Sequence, residues 1–395
     1  MINRRQFCQL TMLGAGGALM ANSGLLRAAQ NIPFGDAGYL PISKVAELPW
    51  LCNAVATTAD GRLFAGLPRW PGFEDTPSVV EILDDGTLKP FPGGEWNAWK
   101  PGKATGSAFV CVNTIHIFDD DSLWLVDQGT PSFGDLVDDQ AQKVLQFNTR
   151  TGELIRQLPL PDEVMPKGAS LNDLRLDSEN VYLTDSGLGG IVIVNLESGQ
   201  AMRRLHQHPS TQASPKRPPI AEDGKPLMSK SGKVPMVHSD PIEISPDGRW
   251  LYYQPLTGPL YRIETAKLRD PSISDEALGE AVEFVFDTSP LTGTAMDSAG
   301  NFYMAEMDRP RISVLTPDGD MRVLAEDNEL WGPDAMFITR DRKLLIPIPQ
   351  TARLGAHRGP DGESVFELPF DIYQLSLPGW LGDREVVPSA VPVTR

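Results

Sequence analysis

Five residues with amide or carboxylate oxygens, Asn53, Asn113, Asn172, Asp240 and Asp334, stand at the head of short apolar segments that resemble one another, and Gly293 fills a sixth such place. Brought together on one axis, these oxygens form the donor set that a hard divalent cation such as calcium takes. Asn113, Asn172 and Asp240 are therefore candidate metal ligands, and Asp334 a candidate ligand-binding residue. Repeated turn chemistry is the other explanation, because Asn and Asp side chains cap nearby backbone amides. Asp173 and Asp240 are candidate acid–base residues beside the axis, while Asp127 and Asp185 suit either that role or structural turns. Trp70, Phe133 and Trp331 could stack on a small ligand, or belong to the core as buried aromatics often do. His116, His206, His208 and His238 lack a convincing zinc spacing, and no Ser-His-Asp order, Gly-rich phosphate loop or CxxC motif stands out.

The elements that must position these residues repeat along the chain. The six segments begin NAVATTADGRLFAG at Asn53, NTIHIFDDDSLWLVD at Asn113, NDLRLDSENVYLTD at Asn172, DPIEISPDGRWLYYQ at Asp240, GTAMDSAGNFYMAE at Gly293 and DAMFITRDRKLLIP at Asp334. Each reads as a β-hairpin, two alternating apolar stretches about a polar turn. Most are followed by a second hairpin, such as VVEILDDGTLKPF or ISVLTPDGDMRVL, which makes four strands per unit. Spacings of 60, 59, 68, 53 and 41 residues fit propeller blades rather than solenoid coils. The fold class is all-β, a six-bladed β-propeller over residues 30–395 in which the heads of the inner strands meet at the channel mouth. The last blade is one strand short, and a segment near Ile42 to Leu48 is expected to supply it, removing the exposed sheet edges.

Composition narrows the partners. The net charge is −17, and residues 1–29 hold Arg4, Arg5 and Arg27 without an acid, so the remainder is still more acidic. Such a surface repels phosphate backbones and anionic lipid, which argues against nucleic acid as a partner, although by itself it more often means solubility than a specific cationic ligand. Arg4-Arg5, then Phe7 and a weakly apolar run to about Leu26, resemble a twin-arginine signal spanning residues 1–29. A Sec signal or an anchor is the alternative. Export to the periplasm or beyond a bacterial cell, with no stable membrane span after signal removal, is the expectation. Cys52 and Cys111 then remain, either as one bridge or as two buried thiols. An insertion over 206–238, rich in Pro, Ser and Lys, is a surface loop or a lid over the channel mouth that suits an anionic or electron-rich ligand. The stretch from Arg353 to Glu363, with His357, is a second loop of that kind.

The stretch Leu67-Pro68-Arg69-Trp70, with DSLWLVDQG from Asp121, VYLTDSGLGGIVIVNLESG from Val181 and SPDGRWLYYQPLTG from Ser245, resembles the Yellow and major royal jelly protein family from about Trp50 to Gln350. The resemblance implies an exported six-bladed propeller with a small-ligand pocket, in a family linked to dopachrome conversion and to binding of biogenic amines. A more distant likeness is to the senescence marker protein and gluconolactonase family, propellers that hold a divalent metal with Glu, Asn, Asn and Asp. Asn113, Asn172 and Asp240 stand where its two Asn and its Asp would be, whereas Asn53 stands near the place of its Glu. Three functions follow as expectations: a ligand-binding protein or dopachrome-type isomerase, a metal-dependent lactonase or esterase, and a non-catalytic scaffold.

Overall fold

The computed structural model describes residues 38–131 and 136–381. Residues 1–29, which carry the signal expectation, and Phe133 lie outside the described residues. Among the described residues, six antiparallel sheets of four strands each form the six blades. Their inner strands run over Ala54–Thr57, Val112–Ile117, Leu171–Leu176, Ser239–Ile244, Leu291–Met296 and Phe337–Ile338. The repeat heads thus sit at, or just ahead of, the starts of these strands.

Ring closure uses both ends of the described chain. The strand Ser43–Leu48 pairs with Phe370–Ser376 as the outer strand of the sixth blade, from Ser43 opposite Gln374 to Leu48 opposite Phe370. Inside, Ala335 N donates to Asn53 O at 3.1 Å, and Ala54 bridges Ala335 in parallel. First and last blades are therefore joined at the rim and at the axis, which leaves no open sheet edge between them.

Neighbouring blades pack face to face through apolar side chains. Val126, Val144, Leu174, Leu183 and Val192 form one such layer, and Phe64, Phe91, Phe109, Phe147 and Trp96 build an aromatic one with ring centroids 5.1–6.3 Å apart. Because second strands are covered on both faces, Ser122–Asp127 and Asn180–Asp185 are buried throughout. Two short helices, Thr265–Arg269 and Asp275–Glu280, belong to the long return of the fourth blade. Among the described residues no helix is long and apolar enough to cross a membrane.

Cys52 and Cys111 are both fully buried and free, without a bridge between them. Burial pushes both thiols above their ordinary range, the nearby Asp334 and Asp127 carboxylates adding to it. A thiol reagent is expected to leave them unmodified in the folded protein and to label both once urea unfolds it. Fast labelling of either under native conditions would contradict this packing.

Candidate functional site

Backbone irregularity is what turns the repeat heads toward the axis. The inner strands lose register against their partners at Asn113, at Asn172-Asp173, at Asp240-Pro241 and at Thr292. A bulge bends the strand and re-aims the side chain it carries, so Asn113, Asn172, Asp240 and Thr292 leave the sheet face and line the channel mouth. Asn53 Nδ2 donates to Asn113 O at 3.0 Å, and Asn113 Nδ2 donates to Asn172 O at 3.1 Å and to Asn172 Oδ1 at 3.0 Å. Asn172 in turn donates to the Asp240 carboxyl. The amides thus form a chain around the axis that ends on a carboxyl group.

Electrostatics single out two members of the ring. Burial raises the Asp240 carboxyl well above its ordinary value, and Asp173 raises it further against the relief from Asn172. Burial likewise raises Asp334, with Asp240 next, although Ala335 N donates to its Oδ1 at 2.8 Å. Asn53 Oδ1 is buried with no partner. The donors fit a hard cation: an orphaned oxygen, two more amide oxygens and two carboxyls whose ionisation is opposed by burial and by neighbouring carboxylates. No group of three His, Cys, Asp or Glu that could hold a metal occurs among the described residues, so Asn oxygens would have to complete any such site.

Beneath the ring lies a second, fully satisfied layer. Arg175 forms a fork with Glu243, from Nε to Oε2 at 2.9 Å and from Nη2 to Oε1 at 2.6 Å, while its Nη1 lies 3.0 Å from Asp173 Oδ2. His116 Nε2 is 2.9 Å from Asp173 Oδ1 and 2.8 Å from Arg175 Nη1, and Thr294 Oγ1 donates to Glu243 Oε1 at 3.0 Å. Burial alone would raise the Asp173 carboxyl, but Arg175 and then His116 overcome it and hold it at about 2. Burial and Arg175 depress His116, outweighing the pull of Asp173. Asp173 and Asp240, 67 residues apart in the chain, thus interact through charge while their carboxyls are shifted in opposite directions.

The two loops form the roof. A cavity of about 60 Å³ is lined below by Asn53, Asn113, Asn172, Asp240, Thr292 and Asp334. Pro219, Leu227, Pro235 and Val237 from the insertion, with Thr351 and His357 from the second loop, also line it. The loops hold each other: Met228 N donates to His357 O at 2.9 Å, Gly359 N donates to Met228 O at 2.8 Å, and Arg353 grips both Glu222 oxygens at 2.8 Å. Arg358 lies 3.4 Å from Asp223.

Several sequence expectations need adjustment. None of the insertion's cations lines the cavity: Arg217 pairs with Asp287 at 2.6 Å, Lys225 with Asp223 at 3.5 Å, and Lys230 donates to Gly362 O at 2.5 Å. A lid whose cations face a ligand is therefore corrected to one in which these three are engaged within the insertion, by the rim and by the second loop. Asp127 accepts from Val110 N and Cys111 N, both at 2.8 Å, and pairs with buried Lys143 at 3.0 Å. Asp185 accepts from Ser170 N at 2.7 Å and pairs with Arg203. Both carboxylates are saturated structural anchors rather than acid–base groups. In the fifth blade the bulge presents Thr292, one residue before Gly293, and Thr292 donates to Pro333 O. Gly293 has a different reason to be there, since a Cβ would lie 2.3 Å from Asp334 O.

Of the remaining candidates, Asn113, Asn172, Asp240, Asp334 and Trp70 line the cavity. Arg69 places Trp70 by donating to the carbonyls of Thr76, Asn97 and Phe109 at 2.6–2.8 Å. Asp173 does not line the cavity; its carboxylate faces the layer beneath and acts on Asp240 through charge. Trp331 closes the turn Asn328–Leu330, is half-buried and is absent from the lining, because Gly332 and Pro333 intervene before the chain reaches the axis. Sequence reasoning missed His116, Arg175 and Glu243 as a set. A signal existed: each stands three residues after its ring residue, in NTIH, NDLR and DPIE, as a polar group within an inner strand.

Comparison with known proteins agrees with this architecture. A gluconolactonase from Xanthomonas campestris is 12% identical, with 85% of this chain and 89% of that one covered at a TM-score of 0.52. A luciferin-regenerating enzyme is 10% identical, covering 86% of this chain and 96% of that one at 0.51. At such identities the likeness establishes the fold alone. No curated protein matches the chain in sequence. The major royal jelly protein family, however, matches residues 110–346, which include the ring from Asn113 to Asp334 and the layer beneath it. On that match, the chain belongs to the major royal jelly protein family.

Proposed function

We propose that this protein is an exported propeller that binds a small molecule through a positively charged, hydrogen-bond-donating group, an amine being the best fit, at the closed channel mouth. The observation that carries the reading is the chemistry of the lining: amide oxygens and two carboxyls whose ionisation burial and neighbouring carboxylates oppose, with no Lys or Arg among the described residues around the cavity to compensate them. An ammonium group would form ion pairs with Asp240 and Asp334 and occupy Asn53 Oδ1. The apolar roof of Leu227 and Val237, with Leu256, Met307 and Trp70, suits the body of an aromatic ligand. At about 60 Å³ the closed cavity has room for a head group only, so the body of such a ligand displaces part of the roof. Two carboxyls whose proton affinity burial raises are also suited, one ionised and one protonated, to moving one proton off a bound molecule and returning another, the balance that an isomerisation of the dopachrome type requires.

A second reading, metal-dependent lactone or ester hydrolysis, is favoured by the oxygen-rich ring. Asn113, Asn172 and Asp240 would hold the cation, with Asn53 and Asp334 completing the set. The cation would supply polarisation of a carbonyl and activation of water. This chain's own part would be to hold the ring through its amide chain and to exclude bulk water with the roof.

Thermal-shift screening of the exported protein against catechols, amines, sugar lactones and divalent metals, each with Asp240→Ala alongside, separates the readings. The amine reading expects a rise in melting temperature with amines that Asp240→Ala abolishes. A rise only with metal and lactone would replace it with the hydrolase. Indifference of the wild type to every compound would leave a scaffold. Export by the twin-arginine route is tested separately: changing Arg4 and Arg5 to Lys should retain the protein in the cytoplasm.

A further inference from the structure

Three buried polar atoms without a hydrogen-bond partner belong to residues that line the one cavity at the channel mouth. Asn53 Oδ1 is on the ring, while Thr351 Oγ1 and His357 Nδ1 are on the roof loop. Buried polar groups are nearly always paired, by protein, water or ligand, because desolvation without a replacement bond is unfavourable. Three orphans around a single cavity mark it as the place where the missing partner sits. We propose that the loop carrying Thr351 and His357 is the upper half of the binding site, with His357 Nδ1 accepting a hydrogen bond from the molecule held by the ring. The inference rests on the reading of the ring as a binding site and goes beyond it by assigning two contacts to a separate loop.

The loop is built to deliver these side chains. The turns Thr351–Arg353 and Gly355–His357 place both on the side toward the cavity, and His357 shares its backbone with the insertion through the Met228 bond. Arg353, two residues after Thr351, holds Glu222, and Ala352 packs with Leu227, Leu256 and Met307. Charge and apolar contact therefore fix the loop from both ends. Burial drives the imidazole down to about 4, so it is neutral at physiological pH and free to accept. An accepting imidazole also matches a ring of acceptors, since both then face a donor-bearing guest: an ammonium, or water on a cation.

Calorimetry with dopamine, and separately with manganese(II), on the exported protein tests this. His357→Ala is expected to weaken the bound probe at least about tenfold, Thr351→Val by less, and His357→Asn to recover affinity to within about threefold by restoring a polar atom near Nδ1. Melting temperatures of Thr351→Val and His357→Asn without probe should stay within about 2 °C of wild type, because neither Thr351 Oγ1 nor His357 Nδ1 gives up a hydrogen bond among the described residues. Unchanged affinity in all three variants, with binding lost in Asp240→Ala, would overturn the lid contacts and leave the ring as the site; an ordered water would then account for the orphans. A wild type that binds neither probe, matched by Asp240→Ala, would overturn the site reading and this inference with it. A large fall in melting temperature for His357→Ala that His357→Asn reverses would assign His357 a structural role and also overturn it.

Discussion

Replacing Arg175 by Met is expected to destabilise the protein by about 3–5 kcal/mol, the loss typical of breaking a buried ion pair on one side. Arg175 is 1% exposed, and among the described residues it is the only Lys or Arg paired with Glu243 and Asp173 in the layer beneath the ring. Without it Glu243 keeps the Thr294 hydroxyl, and Asp173 keeps the Leu174 amide and His116, whose proton burial disfavours. Arg175→Lys should recover little, since one ammonium cannot reproduce the two-bond fork to Glu243 and also reach Asp173. Combining Arg175→Met with Glu243→Gln and Asp173→Asn should recover much of the loss, because the cost lies in stranded charge rather than in shape. Urea unfolding followed by tryptophan fluorescence measures all three against wild type. Acid titration adds a second check. Asp173 is held at about 2 when folded, below its ordinary 3.8, so its stabilisation is present above pH 4 and is lost as pH falls toward 2. Arg175→Met should flatten that acid limb. A single variant as stable as wild type would mean that the layer is not the ionic lock its geometry describes.

The same layer shows what the sequence discloses and what it conceals. Alternation and spacing disclosed six blades and the missing outer strand, because hairpin pattern is local and ring closure follows from one unpaired edge. The ring was legible in five of six blades, where an Asn or Asp heads the repeat. Thr292 was missed because alignment follows the regular part of the strand, whereas a bulge shifts the inward position by one residue. The column of His116, Arg175 and Glu243 lay in plain view but gains meaning only once three strands separated by 59 and 68 residues are placed side by side. Least legible was the roof. Glu222 and Arg353 are 131 residues apart, and no periodicity links two irregular loops. Their charges suggested a cationic face toward a ligand, and only geometry shows them engaged with each other and with the rim.

In chelator at pH 7.5, Asp334→Asn is expected to raise the melting temperature, by about 2 °C or more, and the gain should vanish near pH 4. Burial and Asp240 raise the Asp334 carboxyl when folded, and Asp240 is raised in the same sense. Across the interval from the ordinary value of 3.8 upward, the folded chain therefore binds more protons than the unfolded one, and stability falls as pH rises. The amide removes one member of the like-charged pair and relieves the other. Below pH 4 both states are protonated, and wild type and variant should converge. An occupant of the ring inverts this order. A cation favours the ionised carboxyls, and a ligand at one hundred times its dissociation constant adds about 2.7 kcal/mol to the form that binds it. Wild type should then overtake Asp334→Asn, with calcium if the ring takes a metal and with dopamine alone if it takes an amine. A variant that is less stable than wild type in chelator at pH 7.5 would show the carboxyl already held ionised by its surroundings, contrary to the electrostatics of the ring. The instability of the unoccupied ring and its affinity for a positive group are thus one property, and the sign of the Asp334→Asn shift, read with and without each cation, measures both.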